Sequence, residues 1–194
     1  ILDAWYSGEE GGTAIAQTVA GDYNPAGRLP VTFYKGVEQL PDFDDYNMKN
    51  RTYRYFTGEP LYPFGHGLSY STFEYSGLKF SNGTVQAGSP VDVQVALKNT
   101  GKRAGDEVVQ LYIRFPKLPG APLKALRGFT RVHLKSGESR QVKLTLSPRD
   151  LSYVNEAGDR LVAAGDYLIT VGGGQPGTPA AHADGHLTIQ GEEK

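Results

Sequence analysis

The chain has 194 residues, 20 Lys and Arg against 21 Asp and Glu, and no cysteine. A net charge of -1 supplies neither the basic field that nucleic acid requires nor an acidic tail, and a chain without thiols has no disulfide framework and no thiolate metal site. With 25 glycines, 12 prolines, 12 tyrosines and a mean hydropathy of -0.41, the composition suits a turn-rich β protein, and no apolar run reaches the length of a membrane span.

The opening "ILDAWY" reads as a buried strand, stopped by Gly8. Because the apolar run starts at Ile1 rather than after a Met, the chain is expected to be a piece of a longer protein. From residue 13 to 20, Ile15, Ala16, Val19 and Ala20 recur at helical spacing, and Gly21 is the residue a helix C-terminus favours. "NPAGRLP" is turn chemistry and "VTFY" reads as a second short strand. Strand, helix and strand make one unit of an incomplete α/β layer. The stretch 35–64 has little periodicity but carries Phe43, Tyr46, Tyr53, Tyr55, Phe56, Tyr62 and Phe64. Residues 1–65 therefore bury too little surface to stand alone, and are expected to pack on something else.

From residue 66 onward the pattern changes. Val91, Val93, Val95 and Leu97 alternate with mostly polar neighbours, as do Val109, Leu111 and Ile113, then Val142, Leu144 and Leu146, then Tyr167, Ile169 and Val171. Turn signals such as "NTGKRAGD", "KSGES" and "NEAGD" separate them, while "GGGQPGTPAAHADG" reads as a surface loop. About seven short strands of period two predict an antiparallel β-sandwich of immunoglobulin or fibronectin type III kind over residues 66–194. The fold class is thus mainly β, a sandwich preceded by an incomplete strand-helix-strand segment. The aromatics Tyr112, Phe115, Phe129, Tyr153 and Tyr167 are assigned mostly to core packing.

Several residues raise the question of chemistry. The loop "GEEGGT" leads into a helix, where a phosphate could sit. It lacks the Lys of a P-loop and the spaced glycines of a dinucleotide fold, and Glu9 and Glu10 would repel the phosphate by about 4 kcal/mol at close range. Carboxylates beside aromatic faces suit sugars better: Glu9 and Glu10 near Trp5 and Tyr6, and Asp42 near Phe43 and Tyr46. Trp5, Glu9, Glu10, Asp42 and Tyr46 are the substrate-binding candidates, with a helix-capping role for the glutamates and a solvated loop for the aspartates as the plain alternatives. The four histidines are scattered, with His182 and His186 placed in a loop, and no metal site or cofactor is expected.

Four stretches in order resemble the C-terminal portion of glycoside hydrolase family 3, the β-glucosidase and β-xylosidase family. They are "AWYSGEEGGTAIAQTVAGDYNPAGRLPVTFY", "TYRYF" with "PLYPFGHGLSYSTFEY", "GDEVVQLYI", and the run from "LKALRGF" to "DYLITVG". The first is similar to that family's W-x-x-G-x-x-G pattern followed by N-P-x-G-(K/R)-L-P; Ser7 departs from it where many relatives have Pro. The resemblance implies the end of an α/β sandwich domain followed by a fibronectin type III-like domain, with a barrel and the rest of the α/β domain upstream. It implies a retaining exo-β-glycosidase acting on terminal β-linked sugars, periplasmic or extracellular, with its nucleophile and acid/base both upstream of residue 1. The present residues would then act as a structural brace, inactive alone, with Glu9 and Glu10 in structural or outer roles. The paired glutamates and "PDFDDYNMKNRTYRYF" look more like the xylosidase and arabinosidase branch than the glucosidase branch. A different class remains open at this point: a non-catalytic carbohydrate- or surface-binding sandwich module.

Overall fold

The alternation that begins near residue 73 becomes ten strands. The computed structural model describes residues 1–194 and places them as β1 (Phe73–Phe80), β2 (Thr84–Gln86), β3 (Val91–Asn99), β4 (Gly105–Arg114), β5 (Ala125–Leu134), β6 (Ser139–Leu146), β7 (Tyr153–Val154), β8 (Arg160–Leu161), β9 (Gly165–Gly172) and β10 (His182–Gln190). One sheet has the order β1-β3-β6 and the other β2-β10-β9-β4-β5, with β7-β8 as a separate ribbon. Every ladder is antiparallel except β2 with β10.

The core lies between the two sheets. Val91, Val93, Val95 and Leu97 of β3 meet Val109, Leu111 and Ile113 of β4 and Tyr167, Ile169 and Val171 of β9 in one cluster. The intervening Gln94 and Lys98 face solvent, as a period of two requires when one face is buried. Each large apolar side chain so buried contributes about 1.5–3 kcal/mol. Between β6 and β7, "SPRD" starts a short helix, α3 (Pro148–Leu151): the Asp150 N–H donates to Ser147 Oγ and the Ser147 N–H to the Asp150 carboxylate, with Pro148 at the first helical position.

Ahead of the sandwich, α1 (Gly11–Ala20) starts two residues before the apolar periodicity does and ends at Gly21, whose φ of 83° is the left-handed cap a glycine accepts without strain. A second helix, α2 (Thr52–Tyr55), is a single turn. Residues 1–6, read as a buried strand, make no ladder, and Ile1, Leu2, Trp5 and Tyr6 are exposed. The reason is that a strand needs neighbours for its N–H and C=O groups, and this segment meets none. "VTFY" likewise forms only one bridge, Phe33 with Tyr62.

Two readings in the sandwich are corrected. His182, His186 and the residues between them belong to β10, paired with β9 from His182 opposite Gly172 onward, because the preceding Gly-Pro turn brings the chain straight back. Phe129 is 68% exposed on β5, an edge strand whose outer face nothing covers at that point. Tyr112, Tyr153 and Tyr167 are buried as read. No helix is long and apolar enough to cross a membrane.

Candidate functional site

β4 presents polar groups that are buried, and these organise the chain. Glu107 stands in the same register as Val109, Leu111 and Ile113, so the alternation turns its carboxylate inward. Arg28, from the turn "NPAGRLP", reaches it: Nη2 donates to Glu107 Oε2 at 2.6 Å, and Nε donates to the Gly173 carbonyl at 3.1 Å. The Tyr75 hydroxyl of β1 donates to Glu107 Oε1 at 2.8 Å. Burial pushes the Glu107 carboxyl above the usual carboxylate range, against the pull of Arg28 and of the Tyr75 hydroxyl; burial also pushes the Tyr75 hydroxyl up. The Arg28–Glu107 pair thereby ties the first segment, the smaller sheet and the β9–β10 connection together.

The other face of β4 receives the aromatic segment. Gln110 Nε2 donates to the carbonyls of Gly65 and Gly173, and the Tyr112 hydroxyl donates to Gln110 Oε1 at 2.6 Å. Tyr53 stacks on Phe64 at 4.2 Å between ring centres and meets Tyr112 edge-on, while its hydroxyl accepts the Leu126 N–H. Asn24 closes the other end: its Oδ1 accepts from Ser69 and Tyr70, and its Nδ2 donates to the Ala104 carbonyl. Residues 24–70 are thus held to the sandwich by directed polar bonds as well as by ring contacts.

The substrate-binding candidates lie elsewhere. Trp5 is 58% exposed with a φ of 48°, and Glu9 and Glu10 are exposed where α1 begins; Glu10 holds the cap position but its side chain makes no capping bond. Asp42 and Tyr46 belong to the loop over residues 37–51, where an open hollow of about 460 Å³ is lined by Val37, Leu40, Pro41, Phe43, Asp45, Tyr46 and Arg51. Phe43 and Tyr46 stand 92% and 89% exposed on its rim, and Trp5, Glu9 and Glu10 are not among its walls. Arg51 holds this loop by donating to the carbonyls of Asp42, Asp45 and Asn47. The Asn47 N–H and side-chain amide, both bonded to Asp45, hold the Asp45 carboxyl below its usual range. No group of three or more His, Asp and Glu side chains is placed to hold a metal ion.

Arg28, Glu107 and Gln110 were not singled out in the sequence, and Tyr53 was read there only as one of the aromatics of residues 35–64. Glu107 had a signal: an acid in phase with three inward apolar residues needs a cation, although nothing local names Arg28 as its source.

The comparisons with known proteins fit this geometry. Residues 1–70 match the glycosyl hydrolase family 3 C-terminal domain, and residues 107–175 match the fibronectin type III-like domain. The chain is a C-terminal portion of glycoside hydrolase family 3. It is 47% identical over 173 residues to a xylan 1,4-β-xylosidase from Xylanibacter ruminicola, covering 89% of this chain and 20% of that protein. It is 37% identical over 185 residues to a periplasmic β-glucosidase from Salmonella typhimurium, covering 89% of this chain and 24% of that one. Among solved structures, β-glucosidase 3B from Thermotoga neapolitana superimposes with a TM-score of 0.85 at 35% identity, over 97% of this chain and 28% of that chain. The chain therefore spans between a fifth and a third of the length of the relatives it matches.

Proposed function

We propose that this chain is the C-terminal brace of a retaining exo-β-glycosidase of β-xylosidase or β-glucosidase type, divided near residue 66 into the end of an α/β domain and a fibronectin type III-like sandwich. One observation carries the reading: of twenty large apolar side chains left exposed, seventeen lie in residues 1–70 and only Leu123, Phe129 and Val154 lie beyond. An apolar surface so concentrated is what a segment leaves when its natural neighbours are other domains. The bonds of Arg28, Gln110 and Asn24 fix that segment on the sandwich, so the sandwich sets where the exposed face points. In the longer enzyme a nucleophilic carboxylate would form a glycosyl-enzyme intermediate, and a second would act first as acid and then as base. Both are assigned to its upstream barrel and α/β domains, which are the partners of this chain, and the substrate is an oligosaccharide with a terminal β-linked sugar.

A binding-module role would call for several coplanar exposed aromatics on a sandwich face, whereas Phe129 is the one exposed Phe, Tyr or Trp on its strands. The test is hydrolysis of aryl β-xyloside and aryl β-glucoside by the 194-residue chain at high concentration. Release at background is the expected result. Clear turnover would overturn the assignment and direct attention to Glu9→Gln and Glu10→Gln.

A further inference from the structure

At the end of the five-stranded sheet where β4 finishes and β5 begins, Arg54, Arg114, Lys124 and Arg127 form no ion pair. The local sequence is one-sided: residues 108–137 include six Lys and Arg and no Asp or Glu, in a chain whose net charge is -1. The Leu123 N–H donates to the Arg54 carbonyl at 2.8 Å and the Leu126 N–H to the Tyr53 hydroxyl at 3.0 Å, so α2 runs along the start of β5 and sets Arg54 beside Arg127. Burial pushes the Arg127 guanidinium down from its usual range, and the charge on Arg54 pushes it the same way.

These two side chains are held with donors unused. Arg127 Nη2 donates to the Ser152 carbonyl and its guanidinium lies over the Phe115 ring; the Arg54 guanidinium lies over Tyr55 and donates to nothing. The Nε of each is buried and finds no acceptor. The carboxylate that acts on Arg127 is Asp150, which is already engaged by the Ser147 N–H and hydroxyl. Lys124 is half-buried with one long contact, to the Pro176 carbonyl at 3.4 Å.

We propose that Arg54 and Arg127, with Lys124 three residues ahead of Arg127, form a receptor for one carboxylate, supplied by a uronic-acid sugar or by an Asp or Glu side chain of the longer protein. Two like charges kept together with buried, unmet N–H groups call for an anion between them. The planar fork of a guanidinium matches the two oxygens of a carboxylate. The assignment stands on these side chains and not on the glycosidase reading.

The test is a calorimetric titration of the whole chain with sodium glucuronate, sodium acetate and glucose at fixed ionic strength, repeated on Arg54→Gln and Lys124→Gln. Saturable binding of glucuronate is expected, with no binding of glucose, and with affinity about tenfold weaker in Arg54→Gln, the loss of one charge-assisted hydrogen bond. Glucuronate well ahead of acetate identifies the sugar as the source; equal affinities identify a bare side-chain carboxylate. Linear heats without saturation, equal binding of glucose, or unchanged affinity in both variants would overturn the receptor. Should Arg54→Gln lose its near-ultraviolet circular dichroism, Arg54→Lys and Lys124→Gln carry the same comparison.

Discussion

Arg28 donates to Glu107 at 2.6 Å across 79 residues of chain, with only 10% and 4% of the two side chains exposed. Charges so buried are costly to hold together and costlier to separate. Glu107→Gln and Arg28→Ala should each lower stability by about 3–5 kcal/mol, while Arg28→Met with Glu107→Leu should cost less than either single change. Urea denaturation of the four proteins at neutral pH reads this, and a double variant equal to the sum of the singles would show that no coupled pair exists.

A second carboxylate governs behaviour in acid. Burial raises the Asp106 carboxyl, but its bonds to His133 Nδ1 at 2.6 Å and Arg131 Nε at 2.5 Å pull harder, and the net direction is downward. A carboxyl depressed in the folded state binds its proton more weakly there than in the unfolded chain. Its contribution is therefore present above the unfolded value of about 4 and is lost as pH falls below it. Asp106→Asn should lower the melting temperature at pH 7, by a gap that is narrower at pH 2.5. An equal gap at both pH values would remove Asp106 from the acid response.

Gly65 turns the aromatic segment into the sandwich with a φ of 78°, and a Cβ there would fall on Gln110 Oε1 and the Tyr112 hydroxyl. The backbone alone would cost about 1–2 kcal/mol for a non-glycine residue. Gly65→Ala should cost about 2 kcal/mol or more and raise amide exchange in residues 53–65 while the amides of β3 and β6 keep their protection. Uniform loss of protection would mean that the segment and the sandwich open as one unit.

Thr52 is a β-branched residue at a φ of 53°, held there as its N–H donates to the Tyr34 hydroxyl. Asn tolerates this region better and keeps a side-chain oxygen for the Arg54 N–H. Thr52→Asn is expected to stabilise by about 0.5–1 kcal/mol, close to 2 °C in melting temperature. A fall in melting temperature would show that the Thr52 methyl contributes packing that outweighs its backbone strain.

The strands of the sandwich were legible because one buried face imposes a period of two, and β3, β4, β6 and β9 carry it plainly in Val91 to Leu97, Val109 to Ile113, Val142 to Leu146 and Tyr167 to Val171. The helix before Gly21 was legible for a similar reason, since spacing and a cap are local properties. The strand read at residues 1–6 failed because apolar content alone cannot form a ladder; the partner strands decide. The first half of β10, His182 to His186, was taken for a loop because Gly185 and the alanines around the two histidines carry weak strand preference, and pairing with β9 overrides it.

Alternation along the chain thus determined by itself that a β-sandwich occupies residues 73–190, and the collinear motifs determined its kinship. The order of the strands, the meeting of Arg28 with Glu107, the docking of Tyr53 on Tyr112 and the crowding of Arg54 against Arg127 came only with the tertiary structure. These contacts join residues far apart in sequence through side chains whose local pattern is silent about direction. Their partners are chosen by which buried charge or hydrogen-bonding group is left unmet once the two sheets close.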